Sequence, residues 1–469
     1  MNIALWVLAL SATTPRLPYG DVAVAEHADP VLALEPAEAT SVAELTLAEA
    51  AFEGLYRLDD RGEVWPELAR ELPRWDGLRA VIPLSPVARH DGKPLDANAV
   101  VEAMLRWQAP GSLARHLLLP LAGARTGKPE LGTTTLDDGT VALVVRLAQP
   151  FPELARLWAS SRARLSMGGR VPVGTGPFRI ESVRAEGVSL VASAAHREGR
   201  PYLDRLLFRA ASGARPPPAT GATLVLDVYG PSPPPGSARE LWVLRVGARR
   251  PELRSALLFR AIEGALGRER LAKRYLSGDA SPTATLRGAD DDPQLTLPPK
   301  SGGARATLAM PARLARDRRF AERIQLDLLQ AGVTATLETV DDRTLARARR
   351  SADVELALDG LLFEGSPHTD ATQALFVLMA TASATGCEHV LSEPELAAFA
   401  AEDEPARLRR VAALDRRLRD EAWLVPIAER APRARPGSGL IDTRVTPSGA
   451  VALDDAWSAR LLPVREEDR

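Results

Sequence analysis

The sequence predicts an α/β protein divided into two or more lobes, and three observations carry that prediction. Segments with apolar residues every three or four positions alternate along the chain with short extended runs, the pattern of an α/β lobe. At 469 residues the chain exceeds what one hydrophobic core ordinarily serves. A turn at Pro172-Val173-Gly174-Thr175-Gly176-Pro177 cannot continue as helix, and it feeds Phe178 to Val183, where apolar and polar residues alternate as in a half-buried strand. Gly174 and Gly176 are free to take positive φ in that turn.

The elements follow in order. Gly20 to Ala25 reads as a first strand, and Thr46 to Leu58 as a helix with Leu47, Ala51 and Leu55 on one face. Asp96 is placed to cap a helix carrying Val100, Met104 and Trp107; Ala99 stands where a reciprocal capping box would need an acid. Asp138-Gly139 separates two runs, the second from Val141 to Leu147, and predicts a hairpin. Ala222 to Tyr229 reads as a strand bracketed by Arg215 to Pro218 and Pro231 to Gly236, whose prolines suit surface connections. Leu241 to Val246 is extended, and Pro251 opens a helix with Leu258, Ile262 and Leu266. Arg319 to Ala331 forms an amphipathic helix with Phe320, Ile324 and Leu328 in a stripe and Gly332 at its stop, and Val333 to Val340 is a strand. Ala406 to Asp420 aligns Leu408, Val411, Leu414 and Leu418 on a further helix.

Composition narrows the function classes. Neither charge sign dominates at a formal net charge of −2, which argues against a nucleic-acid partner. All but four of the 59 basic residues are arginines, balanced by acids along the chain. Cys387 is alone, so no intrachain disulfide forms, and no cysteine near the N-terminus offers a lipoprotein acylation site. Residues 1–12 read as a weak signal segment: Ile3 to Ala12 is apolar and too short to span a bilayer, but no basic residues precede it. The six histidines share no metal-ligand spacing, so neither metal nor cofactor is expected. Gly-x-Ser-x-Gly and His-Glu-x-x-His are absent, and the turn at Gly174 lacks the third glycine and Lys-Ser/Thr of a phosphate loop. Catalysis is not expected.

Four motifs carry a resemblance. Phe52-Glu53-Gly54-Leu55-Tyr56-Arg57-Leu58-Asp59 is followed by Gly62-Glu63-Val64-Trp65-Pro66-Glu67-Leu68-Ala69; His90-Asp91-Gly92-Lys93-Pro94-Leu95-Asp96-Ala97 precedes Val100-Val101; then come the turn through Phe178 and Gly199-Arg200-Pro201-Tyr202-Leu203-Asp204. In order and spacing the chain resembles the family 5 extracellular solute-binding proteins, the peptide- and nickel-binding class serving ABC importers. The resemblance implies a two-lobed periplasmic-binding-protein clamp (type II, cluster C-like) with an extra inserted subdomain. Lobe I would combine residues 13–44, 170–243 and 435–469, the inserted subdomain 45–169, and lobe II 244–434, with crossovers near Leu241 to Val243 and Pro432 to Gly437.

By the same resemblance, a peptide or similar small amphipathic ligand would be enclosed between the lobes and delivered to an ABC transporter permease by a periplasmic or otherwise extracytoplasmic monomer. Family peptide binders often hold the ligand's amino group with an aspartate after a Gly-Trp pair. Here the matching stretch runs from Asp359 to Asp370, with Leu361 in the tryptophan's place and Glu364 roughly in the aspartate's. Glu364 and Asp370 are thus candidates to meet a ligand cation, with Phe363 and Leu361 as apolar walls; from the residues alone, acids in such a stretch are more often solvated loop carboxylates. Gly174, Thr175, Gly176, Pro177 and Phe178 are read as structural. The altered stretch supports an alternative, a degenerate clamp acting as a sensor or protein-interaction module without a transport ligand. An enzyme on the same scaffold is the remaining rival, since fold does not fix function.

Overall fold

The computed structural model describes residues 19–27, 33–59, 61–109, 112–210, 222–229, 238–278, 280–287, 303–341, 344–345, 348, 353–364, 370–447 and 449–458. Three sheets organise them. The first runs Pro432–Pro436, Thr223–Tyr229, Val22–His27, Arg205–Ala210, Gly187–Ala192 and Phe178–Arg184. Val22–His27 is parallel to both of its neighbours, and the outer strands are antiparallel. The second runs Ser281–Pro282, Leu424–Arg430, Arg239–Val246, Leu356–Phe363, Ala304–Pro311 and Val333–Val340. A third, four-stranded antiparallel sheet joins Arg74–Asp76, Arg79–Pro83, Val141–Arg146 and Leu131–Thr135, the last two being the predicted hairpin.

Two neighbouring passages connect the first and second sheets. Thr223–Tyr229 pairs with Pro432–Pro436 in the first, and their continuations, Arg239–Val246 and Leu424–Arg430, pair in the second. The crossovers read near Leu241 to Val243 and Pro432 to Gly437 therefore fall inside or against paired strands, and the changes of sheet occur at 230–238 and at Ala431. Pro432–Pro436 is an edge strand, where a proline's missing N–H can face away from the ladder. Residues 1–12, the proline runs at 215–218 and 231–236, and residues 365–369 of the altered stretch lie outside the described residues.

Local chemistry explains where the helices start and stop. The first helix is Val42–Ala51, four residues earlier than its apolar spacing predicts, because Ser41 Oγ accepts from the Glu44 amide and Glu44 reciprocates in a capping box. It stops at Phe52, whose φ of −134° and ψ of 150° are extended, and Leu55 is buried from a non-helical segment rather than from a helical face. Asp96 caps Ala97–Leu105 by accepting from the Ala99 amide at 2.8 Å, as predicted. Arg318–Gln330 buries Phe320, Ile324 and Leu328 against the second sheet, and Glu404–Ala422 buries Val411, Leu414 and Leu418.

The largest apolar core does not stop at a sheet boundary. It runs from Trp107, Leu143 and Trp158 around the third sheet to Leu375, Leu378, Val411 and Leu418 on the helices beside the second sheet, and it includes Leu361 and Phe363. Side chains from both sides are thus packed into one seam.

Candidate functional site

Leu356–Phe363 is the element that builds the seam. One edge is paired throughout with Arg239–Val246; the other meets Ala304–Pro311 only at Leu356 and Ala357. Beyond Ala357 the described residues place no strand on that edge, although the backbone polar groups there still need partners. Carbonyls two residues apart in a strand point the same way, and those of Gly360 and Leu362 accept from arginines.

Arg313 and Arg162 come from opposite sides of the seam and bind the same two segments. Arg313 donates through Nη2 to the Gly360 carbonyl at 2.6 Å and through Nη1 to that of Thr40 at 2.8 Å. Arg162 donates through Nη2 to Leu362 at 3.0 Å and through Nε to Ala39 at 3.2 Å. Arg313 also lies over the Trp242 ring, 5.5 Å from its centroid, and 3.9 Å from Glu240. Gly360 leaves room for this: a Cβ there would come within 2.5 Å of Arg313 Nη2 and 3.1 Å of the Trp242 ring. The cavity lined by Thr40, Leu113, Arg162, Gly360 to Phe363, Ala380, Thr381 and Ala384 has a volume of only about 20 Å³, room for one water.

The four candidate ligand-binding residues have separate placements. Leu361 and Phe363 line that narrow cavity and are buried in the shared core. Glu364 reaches across the seam: Oε1 accepts from the Ser161 amide at 2.8 Å and from Ser160 Oγ at 3.0 Å. Burial raises its pKa against the opposing pull of Arg162 and those donors. Asp370 caps the helix Ala371–Thr385, accepting from the amides of Thr372 and Gln373, and its Oδ2 pairs with Arg156 at 2.8 Å. Both acids therefore have protein partners.

The motif residues gather at the junction of the first sheet and the third. Gly176 N–H donates to the Ala51 carbonyl at 3.2 Å, the His90 amide donates to the Gly174 carbonyl at 2.9 Å, and His90 Nε2 lies 2.8 Å from the Gly176 carbonyl. Neither Gly174 nor Gly176 uses the positive φ open to it. Close approach is what requires glycine: a Cβ on Gly174 would lie 2.1 Å from the Ala51 oxygen, and one on Gly176 would lie 2.6 Å from the Ala51 carbonyl carbon. Thr175 and Phe178 are buried beside them, and Pro177 accepts from the Ser193 amide through its carbonyl.

A buried ionic cluster underlies this junction. Arg164 pairs with both Glu49 and Glu67, Glu67 Oε2 accepts from the Gly54 amide at 2.7 Å, and Glu49 Oε1 accepts from Ser161 Oγ at 2.6 Å. Glu53 is held by Arg197 Nε at 2.6 Å and faces His196 Nε2 at 3.4 Å. Burial pushes the Glu67 carboxyl up to about 7 in spite of Arg164. Burial alone would lower the Arg164 pKa, but Glu49 and Glu67 raise it. Among the described residues no group of three or more His, Cys, Asp or Glu side chains is placed to hold a metal. Glu53 and Glu67 lie in the quoted motifs, whereas nothing in the sequence marked Arg162, Arg164 or Arg313 among so many arginines.

Comparison with solved structures shows the fold, the two-lobed mixed α/β architecture of periplasmic binding proteins. The murein tripeptide binding protein MppA of Escherichia coli is similar over 94% of this chain and 98% of its own, with a TM-score of 0.71 and 16% identity. DppA from Helicobacter pylori, in complex with the peptide STSA, gives a TM-score of 0.71 and 15% identity over 94% and 98% of the two chains. NikA from Staphylococcus aureus, in complex with Ni(L-His)2, gives 0.64 and 15% over 92% and 97%. No curated protein matches the chain. Residues 64–239 match the bacterial extracellular solute-binding proteins, family 5, which bears out the resemblance carried by the motifs. Proteins of that family bind solutes for ABC transporters and are not enzymes.

Proposed function

We propose that this chain is an extracytoplasmic solute-binding protein that captures a peptide or similar small amphipathic ligand between two lobes by hinge closure and delivers it to an ABC importer. One observation carries the ligand class: the edge of Leu356–Phe363 that faces the seam lacks a neighbouring strand beyond Ala357 among the described residues. An extended peptide binds such an edge by adding its own backbone as a strand, with little demand on its side chains. The lobes would follow the sheets, with crossovers at 230–238 and Ala431, and the third sheet would belong to the inserted subdomain. Export to the cell exterior accords with the family match, and no described helix is long and apolar enough to cross a membrane. The protein would act as a monomer with a permease as its partner.

The narrowness of the seam favours one second reading, a clamp that senses or binds another protein without a transport ligand. Native mass spectrometry of protein purified without denaturation separates the two. A bound peptide or small molecule, released and identified, supports transport. Protein that stays empty after incubation with a mixed peptide pool supports the sensor.

A further inference from the structure

We infer that the clamp is held shut without ligand by its own arginines, which occupy the strand edge that a peptide would take. The inference rests on the two-lobed reading above and concerns what controls opening. Arg162 and Arg313 approach from opposite sides, and each ties a carbonyl in the Ala39–Thr40 segment to a carbonyl of Leu356–Phe363. Two guanidinium groups thereby supply donors where a strand-adding peptide would place its amides. A peptide entering at Gly360 and Leu362 must displace them.

Further contacts close the seam over its length. Glu364 holds Ser160 and Ser161, Arg156 pairs with Asp370, and Arg125 donates to the Glu388 carbonyl at 2.9 Å and to the Leu391 carbonyl. Arg115 meets Glu388 at 3.2 Å. Each joins the third-sheet region to elements beside the second sheet, and the apolar core between them is continuous. Arg313 is held ready for its role. Trp242, beneath it, donates to Glu240 at 3.1 Å; Glu240 also accepts from Arg430 at 2.6 Å, and Arg430 reaches Asp317 at 2.7 Å. These contacts fix the guanidinium toward the seam before any ligand arrives.

Electron–electron spin-resonance distances test this in the full chain. Spin labels go on Val183→Cys and Leu326→Cys, both exposed and on opposite lobes, in a Cys387→Ser background. Ligand-free protein is expected to give one distance population, and the Arg162→Ala, Arg313→Ala double variant a second, displaced one. The Arg162→Lys, Arg313→Lys pair keeps charge and bulk but loses the two-carbonyl fork; it is expected to show the same second population and decides the matter if the alanine variant melts. A displaced population already dominant in the ligand-free parent, closing on a peptide pool, overturns the latch and leaves the solute-binding reading standing. Unchanged distances in a folded lysine variant also overturn it. A latch that opens in the variants while no peptide binds either form upholds the latch and tells against the transport reading.

Discussion

Replacing Glu67 by glutamine tests how the junction stores charge. Glu67 is buried, pairs with Arg164 and accepts from the Gly54 amide. Burial outweighs the guanidinium and moves the carboxyl from the ordinary value of 4.5 to about 7. A folded-state pKa above the unfolded one means that the folded protein holds the proton more tightly. The resulting stability is fully present below pH 4.5 and is lost as pH rises to about 7. At about 1.4 kcal/mol per pH unit, that interval corresponds to a loss of about 3 kcal/mol. The Glu67→Gln protein keeps the shape and carries no charge to titrate. His196, whose pKa is raised by Glu53 against burial, loses stability over an overlapping range. Subtracting one protein from the other removes the part of that background they share. Urea unfolding of both between about pH 5 and pH 8 should show the variant gaining on the parent as pH rises, by about 2–3 kcal/mol in all. A flat difference would refute the argument, and a difference of opposite sign would mean that Arg164 prevails over desolvation.

Two other substitutions separate structural from ligand roles. Gly174→Ala forces a Cβ to 2.1 Å from the Ala51 oxygen and 2.6 Å from Phe52 Cδ1, and overpacking of this kind costs about 1–3 kcal/mol; thermal unfolding should show the loss, and an unchanged midpoint would show that the backbone yields freely. Asp370→Ala removes a helix cap worth about 1 kcal/mol, with little added from the half-exposed pair with Arg156. Denaturation should register that loss while the Kd of a ligand found by mass spectrometry stays within about twofold; a tenfold weakening, about 1.4 kcal/mol, would place Asp370 in the ligand site.

Elements whose pattern and stop signals agree were legible in the sequence: Val333–Val340 and Arg318–Gln330 fall where the apolar stripe and Gly332 put them. The first helix was misplaced because Leu47, Ala51 and Leu55 keep a spacing of four although Leu55 is buried from non-helical chain, while the Ser41–Glu44 box that fixes the start lies upstream of the stripe. Pro432–Pro436 was read as part of a crossover because its strand character comes from a partner more than two hundred residues away. The motifs pointed to a family but not to their own chemistry: Gly174 and Gly176 are required by the approach of Ala51, which no local pattern encodes. The seam was least legible of all. Arg162 and Arg313 act on backbone carbonyls, and a carbonyl leaves no mark in a sequence.

The paired passages between the sheets have a mechanical consequence. Because the two chain segments are hydrogen-bonded neighbours on both sides of the boundary, neither can slide past the other without breaking a ladder in each sheet. Shear is thus resisted, and bending across the boundary is the compliant direction. The two lanes are also unequal: Ala431 alone separates Leu424–Arg430 from Pro432–Pro436, whereas nine residues separate Tyr229 from Arg239. The shorter lane fixes the pivot. In the proposed hinge closure, lengthening the chain at Ala431 would therefore shift the axis about which the halves turn.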